Sequence, residues 1–129
     1  MDFASPAESW AYQRATVAEL ERGHPDWPGA AGFRRLVEAV AASPAARQLY
    51  ATRSHLALVV SPVAKYRERV RRPRVVVEPL EGSVRVHRLA VAGRVGVAES
   101  PVDAALAAVE AALAWLAIAD AAPGTSFGG

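Results

Sequence analysis

The sequence predicts an α+β fold: N-terminal helices, a four-stranded antiparallel sheet, and a C-terminal helix packed on the sheet. Three observations carry that expectation. Apolar residues recur at helical spacing up to Tyr50, at alternate positions from Ser54 to Ala98, and at helical spacing again after Pro101. Four Ser-Pro pairs (Ser5-Pro6, Ser43-Pro44, Ser61-Pro62 and Ser100-Pro101) read as helix starts. A serine hydroxyl accepts from the free N–H groups of a first turn, and proline lacks the N–H that would go unbonded there. Glu81-Gly82 and Ala92-Gly93 supply tight turns between the later strands. With 129 residues, 52% of them hydrophobic, and no internal repeat, the chain reads as one domain over residues 1–122, with a frayed tail at 123–129.

The first helix is expected from Pro6 to Arg22, with Trp10, Val17 and Leu20 inward, ending at Gly23-His24-Pro25. Glu8, three residues after Ser5, completes a capping-box pattern. A second helix from Pro28 to Ala42 carries Phe33, Leu36, Val37 and Val40 on one stripe, and Pro44–Tyr50 reads as a short third helix. Four valine-rich strands follow at Ser54–Ser61, Arg74–Pro79, Ser83–Leu89 and Arg94–Ala98, and their short links favour a meander. The last helix is expected from Pro101 to Ala119, capped by Ser100. One stripe holds Val102, Leu106, Val109, Leu113 and Leu116; a second holds Ala104, Ala108, Ala111, Trp115 and Ile118. A helix apolar on two faces is covered on two faces. The sheet covers one. The N-terminal helices, or a partner subunit in a homodimer built through this C-terminal helix, would cover the other.

Composition excludes several chemistries. There is no cysteine, hence no disulfide, thiolate metal site or cysteine nucleophile. His24, His55 and His87 are not spaced as a local metal motif, and no GxGxxG, P-loop or HExxH pattern occurs, so neither a metal nor a cofactor is implied. The start MDFASPAESW has no basic region leading into an apolar one, and Asp103 and Glu110 interrupt the apolar C-terminal stretch. Neither a signal peptide nor a membrane span is expected. With 29 alanines, 14 arginines to one lysine, and no asparagine, the composition fits a GC-rich genome and a cytoplasmic bacterial protein.

Charge is concentrated. Residues 65–74, KYRERVRRPR, carry +5 in a chain of net +2, so the remainder is mildly acidic. A broad nucleic-acid binder spreads positive charge over a face, and no DNA-binding motif appears, so nucleic acid is disfavoured. Ser61-Pro62 suggests that the run begins as a helix, with Val63, Tyr66 and Val70 inward and Lys65, Arg67, Arg69 and Arg72 outward. One reading is a solvated surface helix; the other is a docking patch for a phosphate, an acidic partner protein or a peptide, with Arg67, Arg69 and Tyr66 as contacts.

Alternation sorts the sheet into two faces. Leu56, Leu58, Val60, Val75, Val77, Val84, Val86, Val95 and Val97 form the expected core face. The other face gathers His55, Ala57, Val59, Ser61, Arg74, Val76, Glu78, Arg85, His87, Arg94 and Gly96. That face is either a solvated sheet surface or a ligand site. In the second reading His55, His87 and Glu78 could move protons, Arg74, Arg85 and Arg94 could hold an anion, and the small Ala57 and Gly96 would leave room.

Two stretches, VEAVAASPAARQLYATRSHLALVVS (37–61) and GRVGVAESPVDAALAAVEAAL (93–113), resemble an uncharacterised bacterial family found in natural-product gene clusters. Leu49, Tyr50, Ser54 and His55 match that family's strand opening, and Ser100, Pro101 and Ala104 match its final helix start. Ala51-Thr52 stands where the family has Pro-Phe, and the family's cysteine-containing ending is absent. The resemblance implies a small accessory or tailoring protein of secondary metabolism and supplies no catalytic residue. Together these features lead to a protein that binds a small molecule or an acidic biosynthetic partner on the polar sheet face. Two alternatives stand beside it: a small cyclase or isomerase using a strand histidine as acid/base, and a protein-interaction module of the immunity or chaperone-like kind.

Overall fold

The computed structural model describes residues 3–121, apart from the side chain of Tyr66, so the tail expected at 123–129 lies outside the described residues. Helix α1 (Pro6–Gly23) starts as its sequence predicts: Ser5 is extended and its hydroxyl accepts from the Glu8 N–H at 3.1 Å. The other three Ser-Pro pairs behave differently. The Ser43, Ser61 and Ser100 hydroxyls instead donate to the carbonyls of Val40, Val63 and Pro101. A serine that finds a carbonyl nearby satisfies itself without a helix to cap. Helix α2 (Ala30–Ala41) buries Phe33, Leu36, Val37 and Val40, the expected stripe. A 3-10 turn at Pro44–Gln48 takes the place of the short helix and leads directly into a strand.

The sheet has five strands rather than four: β1 (Tyr50–Ser54), β2 (Ala57–Ser61), β3 (Arg74–Pro79), β4 (Ser83–Ala90) and β5 (Gly93–Pro101). They pair in sequence order, each antiparallel to the next. The strand expected at Ser54–Ser61 is shortened to β2, and an additional strand, β1, precedes it, because the chain reverses at His55-Leu56. A two-residue hairpin turn requires positive φ, and His55 supplies it at 55°. Between β2 and β3 the basic run forms only the single turn α3 (Tyr66–Arg69). At the other end β5 continues through Ser100 and Pro101, which pair with Val84 and Ser83. A 3-10 turn at Val102–Ala104 follows, so helix α4 (Leu106–Ala121) begins at Leu106 rather than Pro101.

The core lies between one sheet face and the helices. Leu58, Val60, Val75, Val77, Val84 and Val86, all expected inward, are buried with Val17, Phe33, Val37, Val109, Leu113 and Leu116. Each such side chain contributes about 1.5–3 kcal/mol by leaving water. Leu56, Val95 and Val97 were expected to join them and are exposed instead, at 51%, 59% and 52%. Leu56 sits in the hairpin turn. For β5 the cause is a register shift: Gly96 faces Arg88 but Arg94 faces Leu89, so Val95 is an extra residue. Val97 is thereby placed opposite His87, on the outer face. Helix α4 packs on β3 and β4 and also against α2, so an N-terminal helix supplies part of its second cover. Its first stripe buries Val109, Leu113 and Leu116; of the second, Ala108 and Trp115 are half-buried against the core, whereas Ala111 is open and Ile118 is 72% exposed.

The two sheet edges are treated unequally. Along β1, side chains of α1 engage the outward backbone: Ser9 accepts from the Ala51 N–H at 2.9 Å, Gln13 donates to the Ala51 carbonyl at 3.4 Å, and Trp10 donates to the Leu49 carbonyl at 2.9 Å. Along β5, residues are exposed or half-buried from Gly93 to Pro101. No helix among the described residues is long and apolar enough to cross a membrane.

Candidate functional site

The outer sheet face is built by register. Val76 of β3, His87 of β4 and Val97 of β5 stand in one row, so the His87 imidazole rises between two valines. In the next row Glu78 faces Arg85, which faces Glu99, alternating charge across three strands. Arg85 donates to Glu99 Oε1 at 3.1 Å. Glu78 instead reaches diagonally to His87, with Nε2 and Oε1 3.0 Å apart. The histidine is the better buried partner, its side chain 16% exposed against 42% for Glu78.

Above this pair opens a cleft of about 700 Å³. The β1–β2 hairpin forms one wall through Ser54, His55, Leu56 and Ala57; Val76, Glu78 and Pro79 of β3 and His87 and Leu89 of β4 form the floor; Arg94 closes the far side. The register shift in β5 is what brings Arg94 to this face. Four residues expected from the sequence to carry chemistry, His55, Glu78, His87 and Arg94, therefore share one cavity. Ala57 leaves room there as expected, whereas Gly96 faces the other way, beside the Arg88 side chain. The apolar contributors Leu56, Pro79 and Leu89 were not anticipated as site residues; Leu89 shares the parity of His87, which is the signal that could have found it.

The chemistry available is specific. A carboxylate on one imidazole nitrogen fixes the ring and leaves the other nitrogen to meet a ligand as donor or acceptor. Arg94 adds a permanent cation with a planar array of donors. Hydrocarbon from Leu56, Val76 and Leu89 completes the lining. Among the described residues no group of three or more histidines and carboxylates could hold a metal ion.

A family model described as a family of unknown function, DUF6193, matches residues 7–114. The chain belongs to DUF6193. In this DUF6193 protein the matched region runs from α1 into α4 and contains every residue of the cleft. No curated protein and no solved structure matches the chain.

The other expected contacts fall outside the cleft. Arg85 is engaged with Glu99, and Arg74 donates to the Arg72 carbonyl at 3.4 Å. Arg67 is exposed on α3, and the side chain of Tyr66 lies outside the described residues. The basic segment departs from the amphipathic helix expected of it. Arg69, expected outward, is buried on the outer sheet face and donates to Thr52 Oγ1 at 2.6 Å, while Val70, expected inward, is 36% exposed. Arg72 forms a two-point pair with Asp120 of α4, Nε to Oδ1 and Nη2 to Oδ2, both at 2.8 Å. These bonds to Asp120 raise the Arg72 pKa above the ordinary arginine value against the opposing effect of burial. Burial lowers that of Arg53, which donates to Gln13 Oε1 at 3.3 Å. Two cations of the segment, Arg69 and Arg72, thus tie the β2–β3 connection to the sheet and to α4.

Proposed function

We propose that this DUF6193 protein binds a small organic anion with an apolar body in the outer-face cleft. The observation that carries the reading is the convergence of Arg94, His55 and the His87–Glu78 pair on one cavity with hydrocarbon walls. The arginine would hold the anionic group, the oriented imidazole would choose among ligands by hydrogen bonding, and Leu56, Val76 and Leu89 would cover the apolar part. The resemblance of residues 37–61 and 93–113 to proteins of natural-product gene clusters supports a ligand drawn from bacterial secondary metabolism, with the protein in an accessory or tailoring role.

The test is calorimetric titration with a panel of aliphatic and aromatic carboxylates beside their neutral amides. Acids should bind more tightly than amides, and Arg94→Gln should weaken the acid by about tenfold or more while leaving the amide unchanged. Equal affinity for acid and amide, or no binding across the panel, would remove the reading.

The His87–Glu78 contact favours a second reading, acid/base catalysis of an isomerase or cyclase type. Under it, Glu78→Gln should preserve binding and cut turnover by about 10²-fold or more, and His87→Ala should do likewise. Turnover unchanged in His55→Ala and His87→Ala alike would exclude it.

A further inference from the structure

We propose that β5 is the contact edge of a two-fold dimer of this chain. The unequal treatment of the two sheet edges is the starting point. Side chains of α1 occupy the outward backbone of β1 at Leu49 and Ala51. The β5 edge is the last strand of the sheet, with α4 packed on β3 and β4, and its Val95 and Val97 are 59% and 52% exposed. An open edge of that length is a template for another strand.

The sequence of β5 selects a second copy as that strand. On β4, Leu89 and Arg85 lie equally far to either side of His87; on β5 the residues facing those three are Arg94, Glu99 and Val97. The register shift therefore makes Arg94 and Glu99 equidistant from Val97. A two-fold axis through Val97, normal to the sheet, keeps every side chain on its own face. It sets Val97 against Val97, Arg94 against Glu99 of the second copy, and Glu99 against Arg94 of the second copy. Gly96 and Ala98 then meet on the helix side and bring no bulk to the seam. A strand whose charges complement themselves about its centre is specific for itself. Glu99 already holds Arg85 at 3.1 Å, so the second copy's Arg94 joins as another cation on that carboxylate and extends the alternating row of Glu78, Arg85 and Glu99.

The inference shares Arg94 with the proposed ligand site, so its test is run without ligand and reads association alone. The full chain should sediment as a dimer at concentrations on the order of 100 μM. Arg94→Glu and Glu99→Arg each set like charges opposite one another at both symmetric positions, and each should weaken association by about tenfold or more. An equimolar mixture of the two variants restores both pairs in a heterodimer, so association should return on mixing. Val97→Lys, which places two ammonium groups at the axis, should give monomer. All three positions are exposed, and circular dichroism melts checks that each variant remains folded. A monomeric wild type, a dimer that these variants leave intact, or a mixture that fails to associate would each overturn the proposal.

Discussion

His55 is held in a backbone conformation that side chains with a Cβ resist. Its φ of 55° costs an L-residue about 1–2 kcal/mol relative to glycine, although histidine tolerates the region better than most. The same residue lines the cleft, so the strain sits where it presents an imidazole. His55→Gly should therefore stabilise the fold by about 0.5–1 kcal/mol in urea denaturation, less than the full strain because glycine also loosens the unfolded chain. His55→Val should destabilise it, since a β-branched side chain is worst placed at positive φ. The hairpin was illegible in the sequence for the same reason. Ser-His-Leu-Ala contains no Asn-Gly or Asp-Gly, and Tyr50–Ser54 carries no valine, so alternation reads as a single strand from Ser54.

Between elements, α2 and the 3-10 turn that follows β5 come close at Gly32. A Cβ added at Gly32 would lie 2.7 Å from Val102 Cγ1 and 3.2 Å from Asp103 Oδ1. Glycine costs about 1 kcal/mol relative to alanine in a helix interior and less in the first turn, where Gly32 stands; here it permits the packing. Gly32→Ala should thus destabilise the protein by about 1–3 kcal/mol, the cost of overpacking exceeding the propensity gained, and thermal unfolding would show it as a lowered Tm. Legibility at this scale followed burial. Strands buried on one face, β3 and β4, announced their inward residues by alternation, as Leu58 and Val60 did in β2 although that strand is buried on both faces, and Phe33, Leu36, Val37 and Val40 announced α2. Strand β5 misled because one extra residue at Val95 inverts alternation between its ends; the neighbouring Gly96 is the signal that could have marked it. The cleft was legible for His55, Glu78, His87 and Arg94 because all four belong to the polar set of the sheet. The burial of Arg69 was not, because a buried arginine announces itself only through a distant acceptor such as Thr52.

Across the whole molecule, the β2–β3 connection clasps both sides of the sheet. Arg69 anchors it to Thr52 on the outer face, and Arg72 anchors it to Asp120 on the helix that packs against the inner face. Arg69→Ala removes a charged donor from a buried hydroxyl and should cost about 1.5–3 kcal/mol in urea denaturation. Arg72→Ala, at a partly exposed pair, should cost about 1 kcal/mol or less. Limited trypsin digestion should cut near Arg67 and Arg71 faster in the Arg69 variant than in wild type; equal rates would mean that the clasp is held by something other than this arginine. The edge sealed by Ser9, Trp10 and Gln13 has a consequence of another kind. A sheet open at both ends can add strands indefinitely, and its natural product is a fibre. This one has a blocked terminus and a live one, like a chain-growth reaction with one reactive end. Whatever strand meets β5 uses up the reactive end, and if that strand is another β5, propagation stops at two.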